Sequence, residues 1–393
     1  MHGVIAAGHP QTAEAGAEIL KMGGNAVDAA VAAAFASFVA ESALVNIGGG
    51  GIAQIFNPAT GQATVYDFFS TMPGLTNGKS PAPPAKQMDF KKVLVDFGAA
   101  VQPFYIGRGS VAVPGVVAGL CQMLADAGTL PLSTVLQPAI TEARNGVLVT
   151  EAQRYIIHLL TPILTDTPGI AAIYAPNGQI VQAGSTLCFP NLAETLEQLG
   201  QEGTSLFYTG RVAQQILQDQ RQHGGLLTPT DLQTYRVFSR RPIPVQYRDY
   251  TILLPPPSSS GGVLIAFALK LLASALPAGL AHNGFEHLRL LTEVMRLTSA
   301  ARAGWEDELE QTDDPAALAA AFLSDENLRG YRQKLQAVLA GKAPQAEAPA
   351  KKGPSNTTHL SVADANGMLA AVTTSAGECS GFVVEGTGVK LNN

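Results

Sequence analysis

Near the end of the chain, hydrophobic and polar residues alternate in a regular pattern. Residues 359–363 alternate, Asn366 and Gly367 follow, and residues 368–373 return with the same period. A period of two places successive side chains on opposite faces of a strand, and an Asn-Gly pair suits a tight turn. The pattern therefore predicts a β-hairpin with one buried face.

Shorter apolar runs upstream predict further strands. Residues 4–7 and 52–56 are typical of short buried strands, and residues 67–69 close another strand. Residues 48–51 are four successive glycines, which predict a tight backbone turn before the second of these strands. A phosphate-binding loop is the alternative for this glycine run, but no Lys-Ser or Lys-Thr pair follows it, which favours the structural turn.

Helical patterns separate these strands. Thr12 is placed to cap a first helix, and residues 26–40 are small and apolar, as in a buried helix. Thr228, followed by Pro229 and Asp231, is a helix start with a capping residue and an acid three positions later. Helices and strands together predict an α+β protein.

Residues 341–356 interrupt this organisation. They are rich in Ala, Pro and Lys and show no apolar period, which predicts an exposed, mobile tether. We therefore expect three parts: a large region over residues 1–340, the tether over residues 341–356, and a second part that begins at residue 357 and includes the hairpin.

Composition narrows the possible functions. The chain has 393 residues and is 46% hydrophobic, which is enough to form a large core. Only 14% of its residues are charged, its net charge is −6, and it has no dense basic run. Nucleic acid and anionic membrane surfaces are therefore not expected as partners. The start of the chain shows no charged segment followed by an apolar stretch, so we expect a cytoplasmic location.

The junction between tether and hairpin carries the candidate chemistry. If the chain is cut between Asn356 and Thr357, the new α-amino group lies beside the Thr357 hydroxyl and is partly neutral at physiological pH, because its pKa is about 8. The same Thr357 hydroxyl would attack the carbonyl group of Asn356 to make that cut. The alternative is that a Thr-Thr pair simply begins a strand, since β-branched residues favour strands.

Several segments of the chain resemble the γ-glutamyltranspeptidase family in the family's own order. The segment around Asn356 and Thr357, which continues to Gly367, resembles the processing site of that family. The other matching segments lie at residues 23–32, 48–51, 113–119, 137–140, 224–235 and 255–262.

This resemblance implies the four-layer αββα sandwich of the N-terminal-nucleophile hydrolases. It implies that residues 1–356 form a large subunit and that Thr357 is both the processing nucleophile and the catalytic N-terminus of a small subunit. Ser375, 18 positions later, matches the family residue whose hydroxyl bonds the catalytic oxygen. The implied reaction forms an acyl-enzyme from a small amide substrate and passes the acyl group to water or an amine, with no cofactor or metal.

The sequence departs from the family at the expected substrate pocket. Phe69 replaces the arginine that binds the α-carboxylate of the γ-glutamyl group, and Ser70 follows it. Gly377 replaces an expected asparagine, and Glu378 beside it would repel a carboxylate. We therefore expect these four positions to line a pocket that does not favour γ-glutamyl groups. For Phe69, a place in the core is an equal alternative.

The resemblance also implies a small subunit that continues past Asn393. The family places an acidic residue that binds the substrate amine, a serine pair and the glycines of the oxyanion hole in that part, so we expect this chain to be C-terminally incomplete. Two hypotheses remain open at this point. The chain is an autoprocessing amidohydrolase or acyltransferase, or it is a non-catalytic homologue that keeps the fold and binds a ligand or nothing. The family resemblance also leaves a periplasmic or secreted location open.

Overall fold

The structure is a computed structural model that describes residues 3–75, 88–98, 100–275, 279–342 and 357–393. Its strands are β1 (Gly3–Ala6), β2 (Gly50–Asn57), β3 (Gln62–Phe68), β4 (Lys91–Asp96), β5 (Val101–Ile106), β6 (Val147–Leu148), β7 (Thr186–Leu187), β8 (Phe238–Arg240), β9 (Ile243–Tyr247), β10 (Tyr250–Leu254), β11 (Thr358–Asp364), β12 (Leu369–Ser375), β13 (Val383–Val384) and β14 (Val389–Lys390). Most of the predicted tether, residues 343–356, lies outside the described residues.

The helices account for much of the remaining described chain. They are α1 (Pro10–Lys21), α2 (Ala26–Ala40), α3 (Val116–Ala127), α4 (Leu132–Val135), α5 (Gln137–Asn145), α6 (Glu151–Leu159), α7 (Thr161–Leu164), α8 (Pro168–Tyr174), α9 (Pro190–Glu202), α10 (Ser205–Tyr208), α11 (Arg211–Gln222), α12 (Pro229–Thr234), α13 (Ser260–Ala275), α14 (Phe285–Leu309), α15 (Pro315–Phe322) and α16 (Asp325–Leu339), with short 3₁₀ turns at Arg108–Ser110 and Pro176–Gly178. Among the helices of the described ranges, none is both long enough and apolar enough to cross a membrane.

The described residues divide into two compact units, with the main boundary near Ser239. The larger unit contains most of a six-stranded sheet, whose strand order is β1-β11-β12-β2-β3-β8. The smaller unit contains the β9–β10 hairpin and helices α13 to α16, which pack around the buried side chains of Phe267 and Trp305.

The predicted hairpin lies inside the six-stranded sheet. β11 and β12 pair antiparallel with Leu360 opposite Val372, β1 pairs with the outer edge of β11, and β2 pairs with β12. Side chains on one face of the hairpin, such as Leu360 and Val372, are buried, whereas Ser361 and His359 on the other face are exposed. The buried face is the one that packs against helix α2, which contacts both β11 and β12.

Helix α2 is the centre of the larger unit. All 15 of its residues are buried, which is the pattern of a helix surrounded by protein. Asn25 caps it in a capping box with Asp28, and the Asp28 carboxylate also accepts hydrogen bonds from the Thr129 amide and hydroxyl and the Leu130 amide. These bonds fix the start of α2, and its small side chains allow α1 and α5 to pack closely on it.

Candidate active site

Thr357 lies at the exposed start of the hairpin. The first pair of the β11–β12 ladder is Thr358 opposite Thr374, and both of these side chains are buried on the helix side. One position further out on the same two strands lie Thr357 and Ser375, whose side chains therefore point to the opposite, open face. Directly opposite residues of an antiparallel pair have Cβ atoms about 5 Å apart, so one further step of the Thr358–Thr374 register would place the two hydroxyl groups side by side.

The row of strand ends continues from Ser375 to Ser70. Ser375 pairs with Gly50 at the start of β2. A Cβ atom on Gly50 would lie 2.6 Å from the Ser70 amide nitrogen and 2.8 Å from its hydroxyl oxygen, so the close approach of these segments requires glycine. Thr357, Ser375 and Ser70 thus lie along one edge of the sheet, at the ends of four neighbouring strands.

Phe69 lies at the same edge, directly after β3. Its side chain is 52% exposed, so it is not a core residue. Its backbone is held on both sides, because the Phe69 amide donates to the Asp67 carboxylate at 3.2 Å and the Tyr235 hydroxyl donates to the Phe69 carbonyl at 2.9 Å. Burial, and then the nearby Asp67 carboxylate, raise the pKa of Tyr235, which keeps this hydroxyl protonated as a donor.

Gly377 and Glu378 follow Ser375 closely. The Gly377 amide donates to the Ser375 hydroxyl oxygen at 3.3 Å, and the Glu378 amide donates to the side-chain oxygen of Asn393 at 2.6 Å. Gly377 has a φ of 59°, and a Cβ atom there would lie 2.2 Å from the same Asn393 oxygen. The Glu378 side chain is 2% exposed and engaged in the interior, rather than displayed on the open face.

The glycine run is a structural turn, as the absence of a following Lys-Ser or Lys-Thr pair indicated. A Cβ atom on Gly49 would lie 2.4 Å from the Ser375 carbonyl oxygen, and one on Gly48 would lie 2.3 Å from the carbonyl oxygen of Lys390. Asn392 holds the other side of this turn, because its side-chain amide donates to the Gly48 carbonyl at 2.7 Å. The run therefore lets three segments meet beside Ser375.

His359 shares the open face with Thr357. Its Nδ1 lies 2.8 Å from the Thr373 hydroxyl and its Nε2 lies 3.0 Å from the Ser361 hydroxyl. Partial burial lowers the pKa of His359, so the imidazole is neutral at physiological pH. A neutral ring with both nitrogens bonded extends the polar row from Thr357 along the hairpin.

A carboxylate behind the site was not found from the sequence. Glu41, at the end of α2, accepts a hydrogen bond from the Thr358 hydroxyl at 2.6 Å and another from the Thr12 hydroxyl at 2.8 Å. The only signal in the sequence is that Glu41 ends the long apolar run of α2. Burial lowers the pKa of nearby His9, whereas the Glu41 and Glu14 carboxylates oppose that shift.

The remaining predicted site residue is Asn356, which lies outside the described residues. Its role in processing stays a prediction. The structure thus brings together Thr357, Ser375, Phe69 and Ser70 at one sheet edge, and it places Gly377 directly beside Ser375.

Comparisons with known proteins agree on one family. Residues 12–393 match the family profile described as gamma-glutamyltranspeptidase. The acylase ACY 1 proenzyme of Pseudomonas sp. strain V22 is 35% identical over 398 residues, which is all of this chain and 68% of that protein. The glutathione hydrolase proenzyme of Escherichia coli strain K12 is 31% identical over 399 residues, which is all of this chain and 66% of that protein.

Solved structures are similar over most of the chain. Cephalosporin acylase from Bacillus halodurans matches with a TM-score of 0.78 and 25% identity, over all of this chain and 69% of that one. The gamma-glutamyltranspeptidase of Helicobacter pylori matches with a TM-score of 0.71 and 28% identity, over 89% of this chain and 94% of that one. The chain therefore spans about two thirds of the length of its sequence relatives and shares the fold of both acylases and transpeptidases.

Proposed function

The chain belongs to the gamma-glutamyltranspeptidase family, and from that premise we propose that Thr357 is the nucleophile with which it cuts itself and then transfers acyl groups. Membership confirms the predicted α+β fold class, that of the N-terminal-nucleophile hydrolases, and the predicted hydrolase or acyltransferase function.

The position of Thr357 is the observation that carries it. Thr357 is exposed at the start of a strand that pairs with β12 from Thr358 onward and with β1 from Ser361 onward. A hydroxyl at the start of a paired strand, next to the strand end that carries the Ser375 hydroxyl, is placed for attack with little reorganisation of the backbone.

The chemistry has two stages. In the precursor, the Thr357 hydroxyl oxygen attacks the carbonyl carbon of Asn356, the peptide nitrogen leaves as the free α-amino group of Thr357, and water hydrolyses the resulting ester. In the processed enzyme, that α-amino group accepts the hydroxyl proton as the Thr357 oxygen attacks a substrate amide. The substrate amine leaves with a proton, and water or an acceptor amine then releases the acyl group from Thr357.

The residues at the proposed pocket favour a neutral or hydrophobic acyl group. Phe69 presents an exposed ring where the family resemblance expects a guanidinium, and Ser70 offers one neutral hydroxyl. A substrate carboxylate bound there without a cation would lose several kcal/mol of pairing energy, whereas one neutral hydrogen bond contributes only about 1 kcal/mol. An acyl group that lacks an α-carboxylate needs no cation, so it loses no pairing energy in this pocket.

Arg108 is the nearest arginine to Phe69 in the sequence after that position, and it does not supply the missing cation. Its guanidinium bonds both oxygens of Asp219, at 3.0 and 3.1 Å, and lies 3.4 Å from Asp89. It also stacks 4.0 Å from the centre of the Phe382 ring. A guanidinium held by two carboxylates and a ring is already neutralised. Two relatives at 35% identity are named acylases, which agrees with acyl transfer by this chain.

Autoprocessing is tested on a denaturing gel of the full-length precursor. We expect the natural protein to give two fragments, the smaller beginning at Thr357 by mass, and Thr357→Ala to give one uncut chain. Thr357→Ser keeps a hydroxyl and serves as the control, with slow but measurable cutting expected. Two fragments of normal size from Thr357→Ala would refute the assignment, and a single chain from the natural protein would indicate a non-catalytic homologue.

A further inference from the structure

The carboxylate of Glu41 is buried at an unfavourable place for helix stability. Its residue is 5% exposed and forms the C-terminal cap of α2, where the negative end of the helix dipole repels an anion. A buried charge also costs free energy unless hydrogen bonds satisfy it. Stabilisation of α2 therefore does not explain why this carboxylate is buried here. The hydrogen bonds that the carboxylate accepts do explain it.

One of those partners is the residue next to the proposed nucleophile. The Thr358 hydroxyl donates to one Glu41 oxygen at 2.6 Å, and the Thr12 hydroxyl donates to the other at 2.8 Å. A distance of 2.6 Å between a hydroxyl and a carboxylate is typical of a strong, charge-assisted hydrogen bond. The bond joins the end of α2 to the first residue of β11.

The two bonded side chains are buried, and the backbone at Gly8 lies against them. A Cβ atom on Gly8 would lie 2.5 Å from the bonded Glu41 oxygen and 2.9 Å from the Thr358 hydroxyl oxygen, so the backbone at Gly8 covers the bond directly. Thr358 itself is 5% exposed. Hydrogen bonds of this kind are stronger where the local dielectric constant is low. The missing side chain at Gly8 is what allows the backbone to approach the bond so closely.

We propose that Glu41 is a positioning residue for the nucleophile. By holding the Thr358 side chain on the helix side, it fixes Thr357 on the open face, opposite Ser375. A slip of one residue along the strand would reverse the two faces and turn Thr357 toward α2. After cleavage the strand end has no upstream chain to hold it, and the bond from Glu41 to Thr358 retains its orientation. This inference rests on the proposed function of Thr357.

The test compares two buried threonines in the full-length precursor. Thr358→Val removes the hydroxyl group that donates to Glu41. The control, Thr195→Val, removes a hydroxyl group that donates at 2.8 Å to the carbonyl oxygen of Thr387, which lies 192 positions away in the sequence. Both variants should lose stability, and Thr358→Val should lose more, because it takes a donor away from a buried carboxylate. We expect only Thr358→Val to slow precursor cleavage and to lower kcat, by about ten-fold to a hundred-fold, with KM nearly unchanged.

Two further variants keep the test decisive if Thr358→Val does not fold. Thr358→Ser retains the hydroxyl and should restore kcat to near the natural value, and Glu41→Gln keeps the shape of the side chain but removes its charge and should lower kcat with KM nearly unchanged. Equal kcat in Glu41→Gln and the natural protein would overturn the inference, as would equal losses of kcat in the two valine variants.

The natural precursor and Thr357→Ala separate the two levels of the argument. If the natural precursor is not cut, or if Thr357→Ala is cut normally, the proposed function fails. If cutting depends on Thr357 but is insensitive to both Thr358→Val and Glu41→Gln, the proposed function stands and the positioning role of Glu41 fails.

Discussion

Thr357 and Thr358 are identical neighbours in the sequence, yet they lie in opposite environments. Thr358 is buried and donates a hydrogen bond to a carboxylate, whereas Thr357 is exposed at the edge of the sheet. The same contrast runs along the whole β11–β12 hairpin, whose helix face packs on α2 and whose open face carries His359, Ser361 and Thr373. One face of the hairpin therefore holds it in place, and the other is the face to which we assign the proposed chemistry.

The largest expected effect concerns substrate choice on the open face. Phe69→Arg introduces the cation that a γ-glutamyl carboxylate requires, and it should shift the ratio of kcat/KM toward a γ-glutamyl anilide, relative to a neutral acyl anilide of similar size, by about a hundred-fold or more. The measurement is that ratio in the full-length processed enzyme. Phe69→Ala removes the ring without adding a charge and should not produce the shift. A natural protein that already prefers the γ-glutamyl compound a hundred-fold would contradict the specificity proposal.

A smaller effect is expected on stability, which should depend much more on the helix face of the hairpin than on its open face. Leu360 is 2% exposed on the helix face and Leu369 is 47% exposed on the same hairpin. Leu360→Ala should lower the free energy of unfolding by about 2–4 kcal/mol because it leaves a cavity against α2. Leu369→Ala should change it by less than about 0.5 kcal/mol.

Urea unfolding of both leucine variants provides the measurement. Equal losses from the two substitutions would show that the open face is packed as tightly as the helix face, and the contrast between them would be lost.

The smallest effect probes a second carboxylate of the helix layer. Glu142, on α5, has a buried side-chain oxygen without a hydrogen-bond partner in the described part of the chain, in contrast to Glu41. Burial, and then the charges of Glu14 and Glu18, raise the pKa of Glu142 to about 8. The folded protein therefore keeps this proton above pH 4.5, where the unfolded chain releases it, and the associated stability is lost as pH rises toward 8.

Glu142→Gln removes this titration. We expect its Tm to exceed that of the natural protein by a few degrees at pH 9 and to equal it at pH 4, as measured by thermal unfolding at both values. Glu202→Gln, at the exposed end of α9, is the control and should change Tm little at either pH. A Tm gain of equal size at both pH values would assign the effect to packing and not to the charge.

Local signals in the sequence predicted local structure well. The hairpin, with its Asn-Gly turn, forms between Thr358 and Ser375, and helix α2 covers Ala26–Ala40 as its small apolar residues indicated. Thr228 caps α12 in a capping box with Asp231, as the spacing predicted. Each of these features depends on residues within a few positions of one another, and such a spacing is visible in one sequence.

Features that depend on distant residues were missed. Thr12 was predicted to cap the first helix, but the structure shows that His9 does so, through Nδ1, with Pro10 as the first helical residue. The hydroxyl of Thr12 instead bonds Glu41, 29 positions away, and Thr358 reaches the same carboxylate across 317 positions. Periodicity contains no information on such pairs. At the candidate site, Thr357, Ser375, Phe69 and Ser70 followed from the family resemblance, and their roles stay predictions, whereas the close approach of Gly50 to Ser70 needed the fold.

The place of the hairpin within the sheet has a consequence for how this protein must be made. β11 and β12 are inserted between β1 and β2, so both edges of the hairpin pair with strands from the first 60 residues of the chain. A cut before Thr357 would therefore leave two polypeptides that share one continuous sheet and one core. Synthesis as a single chain ensures that the two pieces are present in equal numbers and already threaded together, an arrangement that separately translated subunits would have to find by diffusion.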